Sequence, residues 1–445
     1  MLTAEQILAL APDAASAKAG SQLALPAKWG GLGLNGSALW GECQGSGKLP
    51  YRTQIDLGEP AFKCSCPSRK FPCKHGLGLY LLRAAQPSLF RESEAPQWVA
   101  DWLDGRKARR EKKEEPAGER SPEAAAAAAA QARKREDKRE QNIARGLADL
   151  RTWLEDLARD GIVTVRERGP AFWEGMAARM VDVQAGAIGS QLRRLSGLCF
   201  QAGNPDWERQ LGAELTSLYM LCEAHDRLDT LPVPLQADVR TLVGWSVPRE
   251  SVLAAPPVAD RWQVIAQYTA DEGRMRSRTT WLRGANSGRW AMLLHYSVGG
   301  QGFDVALPAG TEFDGALCFY PGAWPLRALI KEQSAARPIG SIAACTDLGA
   351  ALDDYANALA VQPFIDRYPM MLGGLVPDSA SRTALVSADG RQLALHSSFK
   401  HALHLLALSG GHPLTVFGVW DGTALLPLSV WQGGRLFNIE TDFLA

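Results

Sequence analysis

The residues best suited to chemistry lie together in the segment FKCSCPSRKFPCKHGL. Cys64 and Cys66 form a Cys-x-Cys pair, and Cys73 and His75 follow as a Cys-x-His pair. Four soft or borderline ligands at this density predict a single metal ion. Three thiolates and one imidazole select zinc, whose filled d shell accepts a tetrahedral site without a geometric penalty. With all four positions supplied by protein, none is left for a water nucleophile, so one Zn2+ of structural rather than catalytic role is expected. Ligands at i and i+2 of an extended strand point to one side, and Pro67 and Pro72 stiffen the loop that returns the chain to the second pair. Lys63, Arg69, Lys70 and Lys74 surround the cluster and offset the excess negative charge of three thiolates on a divalent ion. A disulfide cluster is the competing chemistry, and a reducing compartment disfavours it. Cys43 lies on a neighbouring strand and is left outside a shell that four ligands already fill.

The elements that must position these residues are short. ALWGECQGS is strand-like, and in YRTQIDLGE the residues Tyr51, Thr53, Ile55 and Leu57 alternate with Arg52, Gln54 and Asp56. Gly45, Ser46, Gly47 and Pro50 supply turn chemistry between them, which predicts a hairpin. After the ligands comes HGLGLYLLRAAQ, with Leu77, Leu81 and Ala84 at helical spacing. The order is therefore strand, strand, metal ligands, helix.

A strand pair, then CSC, then PCKH running into an apolar helix resembles the SWIM zinc finger family, over roughly residues 40 to 85. The resemblance implies a small ββα unit holding one zinc through Cys64, Cys66, Cys73 and His75, and a role in binding protein or nucleic acid. Gly76 and Gly78 depart from good helix formers and are expected to weaken the first turn of the helix. Bacterial proteins similar to this one, with such a finger ahead of a long uncharacterised region, tend to be encoded near AAA+ ATPases and von Willebrand A-type proteins. That setting implies an adaptor within a larger assembly.

The whole chain has 445 residues, 46% hydrophobic and 22% charged, which fits two to three folded domains better than disorder. Lys plus Arg equals Asp plus Glu at 48 each, so any attraction to nucleic acid or an acidic membrane must be local. There is no apolar run of membrane-spanning length and the N-terminus lacks a basic signal-peptide start, so a cytoplasmic protein without a membrane partner is expected. Cys199, Cys222, Cys318 and Cys345 stand alone, as buried thiols do in such a compartment.

Composition and periodicity divide the chain into a zinc finger domain over 1–103, a charged and alanine-rich linker over 104–141, a helical region over 142–250 and an α+β region over 251–445. The linker carries a net charge of +3 and is read as either disordered or partly a solvated single helix. Leu147, Leu150, Leu154 and Leu157, and later Leu211, Leu215, Leu218 and Leu221, repeat at helical spacing. RWQVIAQYTA, MRSRTTWLRG and RWAMLLHYSV then read as an antiparallel meander with Trp262, Val264, Ala266 and Tyr268 on one face. Helices are expected over 348–361 and near 399–408. No internal repeat is evident. The fold class is α+β and multidomain: an N-terminal ββα finger, a central helical region, and a C-terminal α+β region with antiparallel sheet.

Other constellations point away from catalysis. His401 and His404 sit three apart, near His396 and His412, but no carboxylate accompanies them as in a helical zinc protease motif. Asp353 and Asp354 are adjacent and face different ways on a helix. There is no phosphate-binding loop and no GxSxG element. Arg274, Arg276 and Arg278 alternate on one strand, with Arg283 and Arg289 beyond and Trp281 and Trp290 nearby; a solvated sheet face explains the arginines and a core the tryptophans, while a phosphate-binding stripe is the minority reading. The expectation is a non-catalytic zinc-binding adaptor for a protein partner. The alternative is a DNA- or RNA-binding protein that uses Lys63, Arg69, Lys70, Lys74 and Arg83 on phosphates.

Overall fold

The computed structural model describes residues 2–8, 10–12, 14–45, 49–57, 61–68, 70–114, 122–200, 207–272, 275–298, 303 and 307–439. It has an α+β architecture in which sheets lie at both ends of the chain and helices between them. The N-terminal part contains α1 (Ala4–Leu8), α2 (Ala14–Leu23), β1 (Trp29–Leu34), β2 (Ala38–Cys43), β3 (Tyr51–Asp56), β4 (Ala61–Cys64), α3 (Lys74–Ala85), β5 (Arg91–Glu92) and α4 (Gln97–Glu114). Its sheet runs β4-β3-β2-β1-β5, antiparallel except for the short β1–β5 pairing. The expected hairpin is β2–β3, registered Ala38 to Asp56 and Cys43 to Tyr51. Leu39, Ile55, Phe62, Leu77, Leu79 and Leu82 close the core between this sheet and α3.

Gly78 of α3 leaves room for a close neighbour. The helix is continuous, and α2 crosses it at close range. A Cβ on Gly78 would stand 2.8 Å from Leu23 Cβ and 3.2 Å from the Gly20 carbonyl, and a Cβ on Gly20 would stand 2.7 Å from Leu77 Cβ. Two small residues facing each other let the backbones approach to a distance no larger side chain permits.

The central helices are α5 (Pro122–Asp160), α6 (Val165–Asp182), α7 (Gly186–Phe200), α8 (Trp207–Asp226), α9 (Val233–Val243) and the short α10 (Arg249–Leu253). The leucines that repeat in the sequence form one core with Trp173, Met180, Ile188 and Leu192. Helix α6 breaks at Gly169 (φ 70°) where Pro170, which lacks an amide proton, follows. Helix α5 crosses the expected boundary at residue 141 without interruption, and the reason is visible in the side chains just before it. Arg139 lies 4.0 Å from the centroid of the Trp245 ring and donates to the Gly244 carbonyl at 3.0 Å and the Gln184 carbonyl at 3.3 Å, tying together the C-terminal ends of α9 and α6. Glu140 Oε1 lies 3.1 Å from Nε2 of buried His225. At the other end of the charged segment, Arg106 pairs with Asp56 at 3.3 Å.

The C-terminal region holds β6 (Val258–Glu272), β7 (Met275–Gly284), β8 (Trp290–Val298), β9 (Thr311–Phe319), β10 (Ala328–Gln333), β11 (Arg337–Pro338), α11 (Leu348–Val361), β12 (Tyr368–Pro377), β13 (Ala384–Val386), β14 (Gln392–Ala394), α12 (Ala402–Ser409), β15 (Leu414–Trp420), β16 (Leu425–Gln432) and β17 (Arg435–Asn438). One sheet runs β10-β9-β6-β7-β8 with β11 on β9, and the other runs β14-β13-β12-β15-β16-β17. The expected meander is β6-β7-β8. Its alternation does not keep to one face, because the register of β6 against β7 shifts between Val264 and Ala266. The bulge sends Trp262 and Val264 into one core with Phe313, while Ile265 and Ala266 join Trp281, Met371 and Phe417 in the core shared with the second sheet. Helix α11 starts where Asp347 accepts from the amides of Gly349 and Ala350.

Candidate metal centre

The metal ligands are carried by three pieces of backbone. Cys64 ends β4, whose pairing with β3 sets Cys64 opposite Thr53. Cys66 follows in the turn. Cys73 is the N-cap of α3 and His75 lies in its first turn. Reciprocal hydrogen bonds hold the turn to β3: the Ser65 amide donates to the Arg52 carbonyl at 2.9 Å, and the Arg52 amide donates to Ser65 Oγ at 3.0 Å. Strand β4, which the sequence pattern did not mark as a separate element, carries Cys64, the first of the four ligands.

One ligand atom from each of Cys64, Cys66, Cys73 and His75 lies within 4.8 Å of every other. His75 Nδ1 is 3.7 Å from Cys64 Sγ and 4.0 Å from Cys73 Sγ. Zinc bond lengths of about 2.3 Å to sulfur and about 2.0 Å to nitrogen put tetrahedral ligands at roughly this mutual separation. The cluster fits one structural zinc ion. Among the described residues it is the one group of three or more His, Cys, Asp or Glu side chains so arranged, and Cys43 stays outside it.

The surroundings give the sulfurs unequal proton affinities in the absence of metal. A hydrogen bond from Cys73 holds the Cys64 thiol below its ordinary value against the opposing effect of burial, with Thr53 assisting. The same hydrogen bond, with burial, pushes Cys73 up to about 12. Burial also raises Cys66. Zinc takes its cysteine ligands as thiolates, so metal binding works against the raised proton affinities of Cys66 and Cys73.

Two contacts beyond the ligands were not anticipated. Thr53, fully buried, places Oγ1 3.2 Å from Cys64 Sγ, and the Tyr51 ring packs on the His75 imidazole with centroids 4.9 Å apart. Both residues lie on the alternating face of β3, which was the available signal. Such neighbours fix ligand orientation and tune the metal.

Residues 51–84 match the model of the SWIM zinc finger, which spans β3, β4, the ligand loop and α3. The chain carries a SWIM zinc finger. Residues 138–243 match a second model, the SWIM-associated four-helix bundle domain, which begins near the C-terminal half of α5 and ends with α9. No curated protein and no solved structure matches the chain.

The cations proposed to serve the SWIM finger divide by position. Lys63, Lys70 and Lys74 are exposed beside the ligands, while Arg69 lies outside the described residues. Arg83 sits in the last turn of α3, half-buried over the Phe90 ring, and is separated from Lys74 by most of the helix. Of the arginine stripe on β7, Arg274 also lies outside the described residues. Arg276 pairs with Asp271 at 2.9 Å and Arg278 stands 4.1 Å from the Phe303 ring centroid. Arg283 donates to the Ala343 carbonyl, and Arg289 covers Phe319 at 3.8 Å. Trp281 is core. His401 precedes α12 as its N-cap with its ring 5.4 Å from that of His404, and His396 Nε2 lies 3.7 Å from the Asp421 carboxylate; among the described residues these side chains form no group of three or more metal ligands. Asp353 and Asp354 are exposed on α11. No helix among the described residues is long and apolar enough to cross a membrane.

Proposed function

We propose that this chain is a non-catalytic adaptor, in which the zinc-loaded SWIM finger and the C-terminal sheets present surfaces to a protein partner, with an AAA+ ATPase or von Willebrand A-type assembly as the partner class. The observation that carries this reading is the use of the C-terminal arginines. Arg276, Arg278, Arg283 and Arg289 each make a contact within the chain, so these arginines of the C-terminal stripe are engaged in folding. An extended run of phosphate contacts needs cations with their charge directed to solvent. A closed four-ligand metal site also supports structure over chemistry.

The second reading, nucleic-acid binding, is favoured by the exposure of Lys63, Lys70 and Lys74 around the ligand loop. Salt separates the two. A protein complex purified from the native cell should survive a rise from about 50 to 200 mM salt, whereas phosphate contacts weaken steeply over that range. Filter binding with single- and double-stranded probes tests the alternative directly. Tight, steeply salt-dependent binding that Lys63→Ala and Lys70→Ala weaken would overturn the adaptor reading.

A further inference from the structure

The loop between the two ligand pairs does more than carry the chain from Cys66 to Cys73. Phe71 and Pro72, immediately before Cys73, line a small cleft together with Phe62, Leu10, Arg278 and Phe303. The first four belong to the N-terminal part and the last two to the C-terminal part. The Phe71 ring meets Phe62 edge-on with centroids 6.0 Å apart, and Phe62 stands two residues before the ligand Cys64. Across the cleft, Phe303 is only 7% exposed and Arg278 lies over its ring. Two further contacts join the same parts: Gln6 Nε2 donates to the Gly310 carbonyl at 3.1 Å, and Ala336 packs against the finger core.

We propose that zinc latches the SWIM finger to the C-terminal sheet, so that metal occupancy sets whether the two ends of the chain are docked. The physical link is short. Zinc closes the loop at both ends, through Cys66 and Cys73, and removes the conformational freedom that Phe71 and Pro72 would otherwise keep. Without that closure the apolar face formed by Phe62, Phe71 and Pro72 has no fixed shape to present to Phe303. Coupling of this kind is reciprocal: whatever undocks the sheet also weakens the hold on zinc. The latch goes beyond the adaptor reading and stands or falls independently of any partner.

Two measurements on the full-length protein test it. Hydroxyl-radical footprinting with and without a zinc chelator should show Phe303 oxidised several-fold faster once zinc is removed, while Trp281 and Trp173, buried in other cores, stay protected. In the second, Phe303→Asp and, separately, Gln6→Ala should release zinc to a competing chelator more readily than the parent, by about fivefold or more for Phe303→Asp. If Phe303→Asp does not fold, as read from Trp173 protection, Gln6→Ala and the footprint of the parent protein decide the matter. Phe303 protection unchanged by zinc removal, or zinc competition unchanged in folded variants, would overturn the latch.

Discussion

Thr53 Oγ1 lies 3.2 Å from Cys64 Sγ, so the hydroxyl of a fully buried strand residue touches a sulfur of the zinc cluster. Thr53→Val keeps the shape of the side chain and removes the donor. We expect the finger to retain its fold but to bind zinc about 10- to 100-fold more weakly, the usual range for loss of a partner of a metal ligand. Chelator competition measures this, and an unchanged affinity would show that the contact is packing alone.

Gly78 tests the role of the glycines in α3. If helix propensity governed, Gly78→Ala would stabilise the protein by up to about 1 kcal/mol. The added Cβ would instead stand 2.8 Å from Leu23 Cβ, and overpacking of this kind costs about 1–3 kcal/mol. The structure predicts a lower melting temperature for the variant.

The proton affinities give a pH dependence of opposite form with and without metal. In metal-free protein the Cys73 thiol rises from 9.0 to about 12 on folding, so the folded state favours the protonated form. Its contribution to stability is complete below about pH 9 and is lost as pH climbs towards 12. In zinc-loaded protein the sulfurs are already thiolates, and that loss should vanish. Protons instead compete with the metal as pH falls. Denaturant unfolding of both forms across this range, with zinc release followed on acidification, checks both halves.

Arg139 lies in the stretch that composition marks as a solvated linker, yet it bridges Gly244, Gln184 and Trp245. Arg139→Ala leaves two carbonyl groups without a charged donor and should cost about 1–3 kcal/mol in equilibrium unfolding. A truly solvated residue would cost nothing measurable.

What was legible in the sequence depended on range. Cys64, Cys66, Cys73 and His75 could be read because their chemistry is packed into twelve positions, and Leu147 to Leu157 because a bundle core imposes the helical period directly on the chain. Helix α2 was missed because AASAKAGSQL offers small residues in place of a clear apolar stripe, and its partner face on Gly20, Leu77 and Gly78 appears only after folding. The bulge after Val264 was hidden because both faces of β6 are buried, so nothing in the alternation marks where it changes side. Arg139 read as solvated because its partners lie 45 and 105 residues away.

Metal analysis of the purified full-length protein reports whether the Cys3His shell holds one structural zinc. We expect one zinc per chain, lost in Cys73→Ser. Protein purified without bound metal, or a Cys73→Ser variant that keeps a full equivalent of zinc, would contradict it.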